Sequence, residues 1–586
     1  MRLEQLKLTG FRNFKNATVN FVSKTLLIGP NDIGKSNLIH ALRILLDRGL
    51  SDIELEPKDS DFYVFEETNT IEITAKFVEV REDCVVARMK HHLHEDGSFY
   101  LRYVAKRDPA TRKKDFTFSA GRDEASFEDL NGRPYTRVLN LKYIDSNRDL
   151  TVYVRQQKKH LLEEAKEGRT PDQVKTDNEQ VARIGTKLSD VNATVAGLSY
   201  ISTATTDINK ELKGLSFHNE QQNIEFDAGE SDPDSFVDNL QLVSKVGGKK
   251  ITIGGDGRNN QVFLAIWASR FDKEEKDPLE ITIFCIEEPE AHLHPHQQRK
   301  LAEYLATTLP GQVIITSHSP QIACEFPPNA IVRLYNASPE TLAANNGCCT
   351  RIEQSIFEFG YRLNILPAEG FFAAVVFLVE GTSEVLFYKA LADAIKIDLD
   401  RLNITVLSVE GVGFNPYINL LDALMIRWIM RTDNDIFQIP RKPQYRCAGI
   451  QRACSAFDAG DIKDENLSKL IADNKGKLGT LEAGTIPEQL EPMVKELKES
   501  LEKHNIFLAG KDLENDLATS ELNEILNEIC GGGLSTDEVV ECMQQQKATF
   551  IFEFLKTHRA DLSKLANHPL CTPLTAAERV AKAINA

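Results

Sequence analysis

The sequence predicts an α/β protein made of two parallel-sheet parts, with a helical stretch interrupting the first. Three observations carry this reading. A glycine loop, Gly29 to Ser36, stands between a short apolar run and a stretch of helical spacing. A second apolar run, Ile281 to Ile286, ends directly in two acids. In the second half, apolar runs again end in acids, at Glu380 and at Asp433. Strands that finish in polar ligands are the pattern of parallel layers, whose binding groups gather at the carboxyl ends of the strands. At 586 residues the chain has room for roughly two to four domains, each with its own core.

Taken in order, residues 3–11 and 17–22 read as a strand hairpin, and Thr25 to Ile28 as a short buried strand. Gly29-Pro30-Asn31-Asp32-Ile33-Gly34-Lys35-Ser36 then fits G-x-x-x-x-G-K-[ST] in full. Apolar residues at Leu38, Ile39, Leu42, Leu45 and Leu46 give the helix that should follow. Strand, glycine loop and helix together argue for a P-loop rather than a chance glycine turn. Backbone N–H groups of the loop, including those around Asn31 and Gly34, would face the phosphates of ATP at a helix N-terminus. Lys35 would reach the β- and γ-phosphates, and Ser36 would ligate Mg²⁺. Residues 71–104 alternate apolar and polar, which predicts an antiparallel sheet. Lys106 to Lys114 is a basic loop, read as a solvated hairpin tip with a DNA contact as the alternative. Val138 to Ile144 is another strand.

From about Leu150 to Leu215 charge rises and helical spacing appears at Leu161-Leu162, Val181-Ile184 and Leu188-Val191. This predicts a helical insert over 150–221, serving either self-association or as a lid. It divides a nucleotide-binding part into 1–149 and 222–366. Sheet pattern returns near 222, followed by the glycine run Gly254 to Gln261, which alone assigns no role, and an apolar helix over 262–268. Ile281 to Ile286 runs into Glu287 and Glu288, a Walker B arrangement. The first acid would hold the Mg²⁺ shell and the second would polarise the attacking water. Gln312 to Thr316 is a strand ending at Ser317-His318, which puts His318 where it can touch a γ-phosphate.

A new α/β pattern occupies 367–586. Val375–Val379, Ile404–Val409, Met425–Thr432 and Asn505–Leu508 read as strands. Their ends carry Glu380, Glu384, Asp433, Asp435 and, near the fourth, Glu514. Carboxylates that converge at one sheet edge cannot all stay ionised without cations, and hard oxygen ligands suit Mg²⁺ or Mn²⁺. Arg427, Arg431, Arg441, Lys442, Arg446 and Arg452 crowd the same region and suggest phosphate contacts to DNA, about half of them being ordinary solvated charge. The tail from Thr557 reads as helices.

The formal charge of −18 excludes a protein that coats nucleic acid nonspecifically, so DNA must be met by local basic patches. No apolar run is long enough to span a bilayer, and Met1-Arg2-Leu3-Glu4-Gln5 begins no signal peptide, so a cytoplasmic protein without a membrane partner is expected. The 10 cysteines include no C-x-x-C pair and suggest neither a zinc site nor a disulfide framework.

The order of Walker A, glycine-rich signature, Glu287-Glu288-Pro289-Glu290-Ala291-His292-Leu293-His294-Pro295 and Thr316-Ser317-His318-Ser319-Pro320 resembles the ABC-type ATPases of the SMC/RecF group. The wording of the acidic motif is similar to that of the OLD (overcoming lysogenization defect) family, in which a Glu such as Glu287 also stands where Walker B usually has Asp. Glu380-Gly381 after one strand and Asp433-Asn434-Asp435 after another resemble the Toprim pattern of the nuclease half of OLD proteins. Gly411-Val412-Gly413-Phe414-Asn415 departs from the loop expected there. The resemblance implies an SMC/RecF-like ATPase domain with a helical insert, followed by a Toprim α/β domain with a parallel sheet. It implies two metals held by Glu380, Asp433 and Asp435, then Glu384 and Glu514, with Lys547 stabilising developing charge. It also implies a homodimer or higher homo-oligomer in which Gly255 and Gly257 act across the interface. The activity it implies is an ATP-regulated DNA endonuclease or nickase in anti-phage defence. Members act alone, with a helicase as in Gabija systems, or with a retron reverse transcriptase and its DNA. The rival reading is a DNA-repair or sensor ATPase whose Toprim part binds DNA without cutting.

Overall fold

The computed structural model describes residues 1–145, 162–163, 165–215, 223–225, 233–238, 240, 243–246, 249–252, 280–291, 293–309, 311–352, 368–410 and 413–584. The glycines Gly255 and Gly257, the helix predicted over 262–268 and the loop residues Gly411 and Val412 lie outside them.

The chain opens with β1 (Arg2–Phe11) and β2 (Phe14–Asn20), an antiparallel hairpin with Leu6 opposite Val19 and Phe11 opposite Phe14. β3 (Lys24–Ile28) then leaves for another sheet and leads into α1 (Lys35–Leu46). β4 (Thr70–Val78), β5 (Phe99–Arg107), β6 (Lys114–Gly121) and β7 (Phe127–Leu130) complete an antiparallel sheet of order β2-β1-β4-β5-β6-β7. The predicted alternation holds, since Ile71, Ile73, Ala75 and Phe77 are all buried. The basic loop is the β5–β6 hairpin tip, and its flanking cations are satisfied within the protein: Arg107 and Lys114 pair with Asp59 at 3.2 and 3.1 Å.

β8 (Leu139–Ile144) belongs to the second sheet. Helices α2 (Pro171–Ala196) and α3 (Ser199–Leu215) follow, then the small antiparallel ribbon of β9 (Val243–Val246) and β10 (Lys249–Thr252). The chain divides into two compact units, one holding Asn147–Asp277 with Ala291–His294, the other Met1–Ser146, Pro278–Glu290 and Pro295–Ala586. Both helices of the insert region and the ribbon belong to the former. No residue of α2 is fully buried, and Val174, Val181, Ile184, Leu188 and Val195 form its half-buried stripe.

In the larger unit β11 (Ile281–Glu287), β12 (Gln312–Thr316), β13 (Ile331–Asn336) and β14 (Thr341–Ala343) join β3 and β8 in the order β14-β13-β3-β12-β11-β8. Every pairing but β13–β14 is parallel. β3 sits in the middle, which is why Thr25 to Ile28 is apolar and buried without alternation. Leu38, Ile39, Leu42, Leu45 and Leu46 of α1 are buried in a core shared with both sheets. At about 1.5–3 kcal/mol for each buried side chain, that face anchors the helix whose N-terminus closes the P-loop.

The third sheet comprises β15 (Val375–Val379), β16 (Ile404–Ser408), β17 (Arg427–Thr432) and β20 (Ile506–Leu508), all parallel, in the order β16-β15-β17-β20. Its helices include α4 (Thr382–Ala394), α5 (Phe414–Ala423), α6 (Ala448–Ala459), α7 (Leu513–Ala518), α8 (Lys547–His558) and α9 (Thr572–Ile584). A ribbon of β18 (Ile436–Gln438) and β19 (Tyr445–Cys447) projects just after Asp435. The tail is part of the core: Leu574, Ala577 and Ala581 of α9 pack with Val375, Phe377 and Val379. One expectation is corrected here. A disulfide joins Cys530 to Cys542, two residues that a C-x-x-C search does not pair because their proximity arises from consecutive helices. Among the described residues no helix is long and apolar enough to cross a membrane.

Candidate active sites

Two sites form at the carboxyl edges of the two parallel sheets. At the first, Gly29 and Gly34 have φ of 152° and 101°. A Cβ on Gly29 would fall 2.6 Å from the Leu334 carbonyl oxygen, and one on Gly34 would fall 2.2 Å from Asn13 Nδ2. Glycine is therefore required twice, for backbone angle and for space. Asn13 Nδ2 donates to the Ile33 carbonyl at 2.8 Å and holds the loop from below. Asn31 and Ser36 are exposed. Lys35 is buried and donates to the carbonyls of Gly29 and Pro30 at 3.0 and 2.8 Å. Burial draws its ammonium down to about 8, against the carboxylates of Glu288, Asp32, Glu287 and Glu290.

Asp32 belongs to the P-loop itself, while Glu287, Glu288 and Glu290 are delivered by the end of β11 and the turn after it. Burial pushes Glu287 up, opposed by hydrogen bonds from Tyr143 and Ser36; the Tyr143 hydroxyl donates at 2.9 Å. Glu288 has φ of 43°, a strained value for a residue with a side chain. Its N–H holds it there by donating to the Thr316 carbonyl at 3.0 Å and hydroxyl at 3.2 Å. His318 Nε2 lies 3.3 Å from Glu288 Oε1. Burial lowers the His318 imidazole, with Lys35 acting in the same direction. The motif's third acid, Glu290, is the residue that sequence reading passed over. It accepts from Ser317 Oγ at 2.6 Å and from the His318 amide at 2.8 Å, binding the ends of β11 and β12 together.

At the second edge one carboxylate oxygen each from Glu380, Asp433 and Asp435 lies within 4.8 Å of the others. Glu380 leaves β15, and the two aspartates leave β17. Glu380 Oε1 accepts from the Asp433 amide at 2.9 Å and from the Thr432 hydroxyl. Burial, with the charges of Glu384 and Glu380, pushes Asp433 up to about 8. Asp433 Oδ1 is buried and, among the described residues, has no hydrogen-bond partner. This oxygen set, with Asp433 Oδ1 unpartnered, fits a hard divalent cation. Arg452, from α6, reaches into the cluster. Its Nη2 donates to Glu380 Oε1 at 2.8 Å, Asp435 Oδ2 at 2.9 Å and the Asp433 carbonyl at 3.0 Å. Gly449 lets α6 come this close, because a Cβ there would fall 2.1 Å from the Asp433 carbonyl oxygen.

Two predicted ligands sit elsewhere. Glu384 turns inward: Oε2 accepts from the amides of Glu380 and Gly381 at 2.7 and 3.1 Å, and Oε1 from Arg431 at 2.8 Å. It shapes the Glu380 turn and is not among the grouped ligands. Glu514 is buried on α7 and pairs with Lys547 at 3.1 Å. Burial works to lower Lys547, but Glu514 and then Asp433 hold it above its ordinary value. Of the basic residues expected to meet DNA, Arg431 is buried, its other nitrogen on Asp516 at 2.7 Å, and so cannot serve. Arg427, Arg441, Lys442 and Arg446 are exposed. The sequence marks Arg431 and Arg452 only as basic residues, and their carboxylate partners, like the need for Gly449, are set by the fold.

Comparisons with known proteins agree with this geometry. Residues 1–131 and 136–323 match the family described as AAA ATPase domain. Residues 371–435 match the family described as Overcoming lysogenization defect protein-like, TOPRIM domain. The chain is 25% identical over 566 residues to Endonuclease GajA of Bacillus cereus (strain VD045), covering 93% of this chain and 94% of that protein. It is 21% identical over 556 residues to the OLD nuclease of Thermus scotoductus, covering 85% and 98%. The solved C-terminal region of the Burkholderia pseudomallei OLD protein is 21% identical, covers 36% of this chain and 99% of that one, and superposes with a TM-score of 0.23. With the ATPase family spanning more than half of its length, the chain belongs to the AAA ATPase domain family, and an OLD-like Toprim segment follows at 371–435.

Proposed function

We propose that this chain is an ATP-regulated, divalent-metal-dependent DNA endonuclease or nickase that serves bacterial defence against phage. The observation that carries the reading is the convergence of Glu380, Asp433 and Asp435, with a buried Asp433 oxygen awaiting a partner. Mg²⁺ or Mn²⁺ bound there would activate water for attack on a phosphodiester. The chain's own residues do the rest. Arg452 and the Thr432 hydroxyl hold Glu380 in position, and Lys547 supplies a fixed positive charge near Asp433. Arg441, Lys442 and Arg446 on the β18–β19 ribbon, with Arg427, meet DNA phosphates. At the other edge Lys35 binds the ATP phosphates, Ser36 and Glu287 hold Mg²⁺, Glu288 polarises water, and His318 touches the γ-phosphate. The names of the relatives, an endonuclease and a nuclease, support the reading.

The domain plan that goes with it is an ATPase domain over 1–149 and 222–366, an insert over 150–221 and a Toprim domain over 367–586. The assembly is a homodimer or larger, with Gly255 and Gly257 facing the partner's nucleotide. Exposed Val191, Tyr200 and Ile208 on α2 and α3 suit a second copy as occupant.

One observation favours the rival, a Toprim domain that binds without cutting: Arg452 already supplies positive charge to two of the carboxylates. Plasmid nicking by wild type and Asp433→Ala, in Mg²⁺ and in Mn²⁺, with and without ATP, decides between them. The expected result is nicking by wild type that falls ~10³-fold or more in the variant, with ATP hydrolysis intact. Equal cutting by both would remove the site from the cluster. DNA binding without cutting in either metal would establish the rival. Loss of plaque protection in cells carrying Asp433→Ala is the expected sign of the defence role.

A further inference from the structure

A buried contact joins the sheet that carries the P-loop to the sheet that carries the carboxylates. β13 runs beside β3, with Val332 opposite Leu27 and Arg333 opposite Ile28, the residue before the P-loop. The close approach of Gly29 to the Leu334 carbonyl seats the start of that loop on the β13 backbone. Arg333 is buried. Its Nη1 donates to the carbonyls of Leu424 and Met425 at 3.0 and 3.3 Å, and its Nη2 to that of Ala373 at 3.3 Å. Among the described residues no carboxylate pairs with it and its Nε has no hydrogen-bond partner. Burial draws the guanidinium down to about 10. A cation kept inside on carbonyls alone is costly, so its place calls for a reason beyond packing.

The three carbonyls supply one. Leu424 closes α5, whose last carbonyls find no partner within the helix. Asn345, just past β14, donates from Nδ2 to the carbonyls of Asp422 and Ala423 at 3.1 and 3.0 Å. The carboxyl end of α5 is thus capped by residues from the ATPase sheet, with a cation where the helix dipole favours one. α5 leads straight into β17, which ends at Asp433, and Ala373 stands just before β15, which ends at Glu380. A second chain of bonds runs alongside. Asn13 Nδ2 donates both to Ile33 in the P-loop and to Thr341 Oγ1 on β14 at 2.7 Å, and β14 leads to Asn345.

We propose that Arg333, seconded by Asn345, is the positioning residue that couples the nucleotide site to the carboxylate cluster. It grips the starts of the two strands whose far ends carry Glu380 and Asp433. A shift of the P-loop strand on nucleotide binding is passed through β13 to both. The proposal rests on the reading of the two edges as ATPase and nuclease.

The test uses the full chain as wild type, Arg333→Met, Arg333→Lys and Asn345→Ala. Nicking in Mn²⁺ is measured with and without a non-hydrolysable ATP analogue. Analogue affinity is measured with and without DNA, since coupling is reciprocal. In wild type the analogue is expected to change nicking by about 5-fold or more, and Arg333→Met to reduce that response below about 2-fold. ATP hydrolysis and nucleotide-free nicking should stay within about 3-fold of wild type, which separates coupling from misfolding. Arg333→Lys, with one ammonium for three carbonyls, should restore part of the response. Asn345→Ala should lose part of it, and carries the test if Arg333→Met fails to fold. A folded Arg333→Met, or failing that Asn345→Ala, with the full wild-type response would overturn the proposal. A wild type indifferent to nucleotide in both measurements would overturn the coupling itself. A wild type that never nicks, yet shows a DNA-dependent analogue affinity that Arg333→Met abolishes, would sustain Arg333 and sink the nuclease reading.

Discussion

The nucleotide edge and the carboxylate edge are the same device, the carboxyl end of a parallel sheet, built in opposite ways. The P-loop takes its geometry from one contiguous segment. Gly29, Gly34 and Lys35 act through backbone conformation, and even the Lys35 side chain binds carbonyls of its own loop. The carboxylate edge collects its groups from segments far apart in sequence, and its cations come from yet other helices: Arg452 from α6, Lys547 from α8. Phosphate recognition by amides and a helix end is local chemistry. Holding like charges together is not, because each carboxylate must be offset by a cation that only packing can deliver.

The most forceful way to break the comparison is to cross it. Lys35→Ala should lose ATP binding, and Glu288→Gln should bind ATP but hydrolyse it ~10²–10⁴-fold more slowly. Both should retain nicking in Mn²⁺ without nucleotide. Loss of that metal-only cutting in Lys35→Ala would show that the edges are not separate sites. Next in size is the support beneath the carboxylates. Arg431→Met leaves the buried Glu384 and the half-buried Asp516 without their cation and should cost about 3–5 kcal/mol in urea unfolding. Adding Glu384→Gln should return part of that loss, and strict additivity would mean the pair is not coupled.

A smaller effect probes the nucleotide side. Burial, with the Arg12 charge, holds the His40 imidazole on α1 down at about 4, from an unfolded value of 6.5. The neutral form is the one the fold keeps, so stability is full above pH 6.5 and lost as pH falls through about 4. Allowing for partial exposure, His40→Gln should flatten that acid limb by about 1–2 kcal/mol in melts at pH 4 and pH 7. The smallest concerns the ribbon. Replacing Arg441, Lys442 and Arg446 by Ala should make log K against log[salt] for DNA shallower by about 2–3, at about 0.9 per phosphate contact. An unchanged slope would take the ribbon off the DNA path.

By itself the sequence determined the P-loop and the strands that end in the site residues, but not β13, β14 or the β18–β19 ribbon. An apolar run such as Thr25 to Ile28 is legible because a central parallel strand is buried on both faces. The Walker and Toprim acids are legible because they follow such runs directly. The helical character of α2 was likewise visible in the spacing of Val181-Ile184 and Leu188-Val191. The tertiary structure alone decided which of the acids meet. Glu384 looks like a ligand in sequence, yet one turn of helix aims it at the Glu380 amide and at Arg431. Arg431 and Arg446 look alike in sequence. One lies in a central strand and is buried, while the other stands on a projecting ribbon in water. Gly449 carries no motif and is needed only because α6 crosses the Asp433 backbone. Periodicity records which face of an element is apolar. It does not record which distant charge that face will meet, because that pairing is set by the order of strands in the sheet and the helices laid across it.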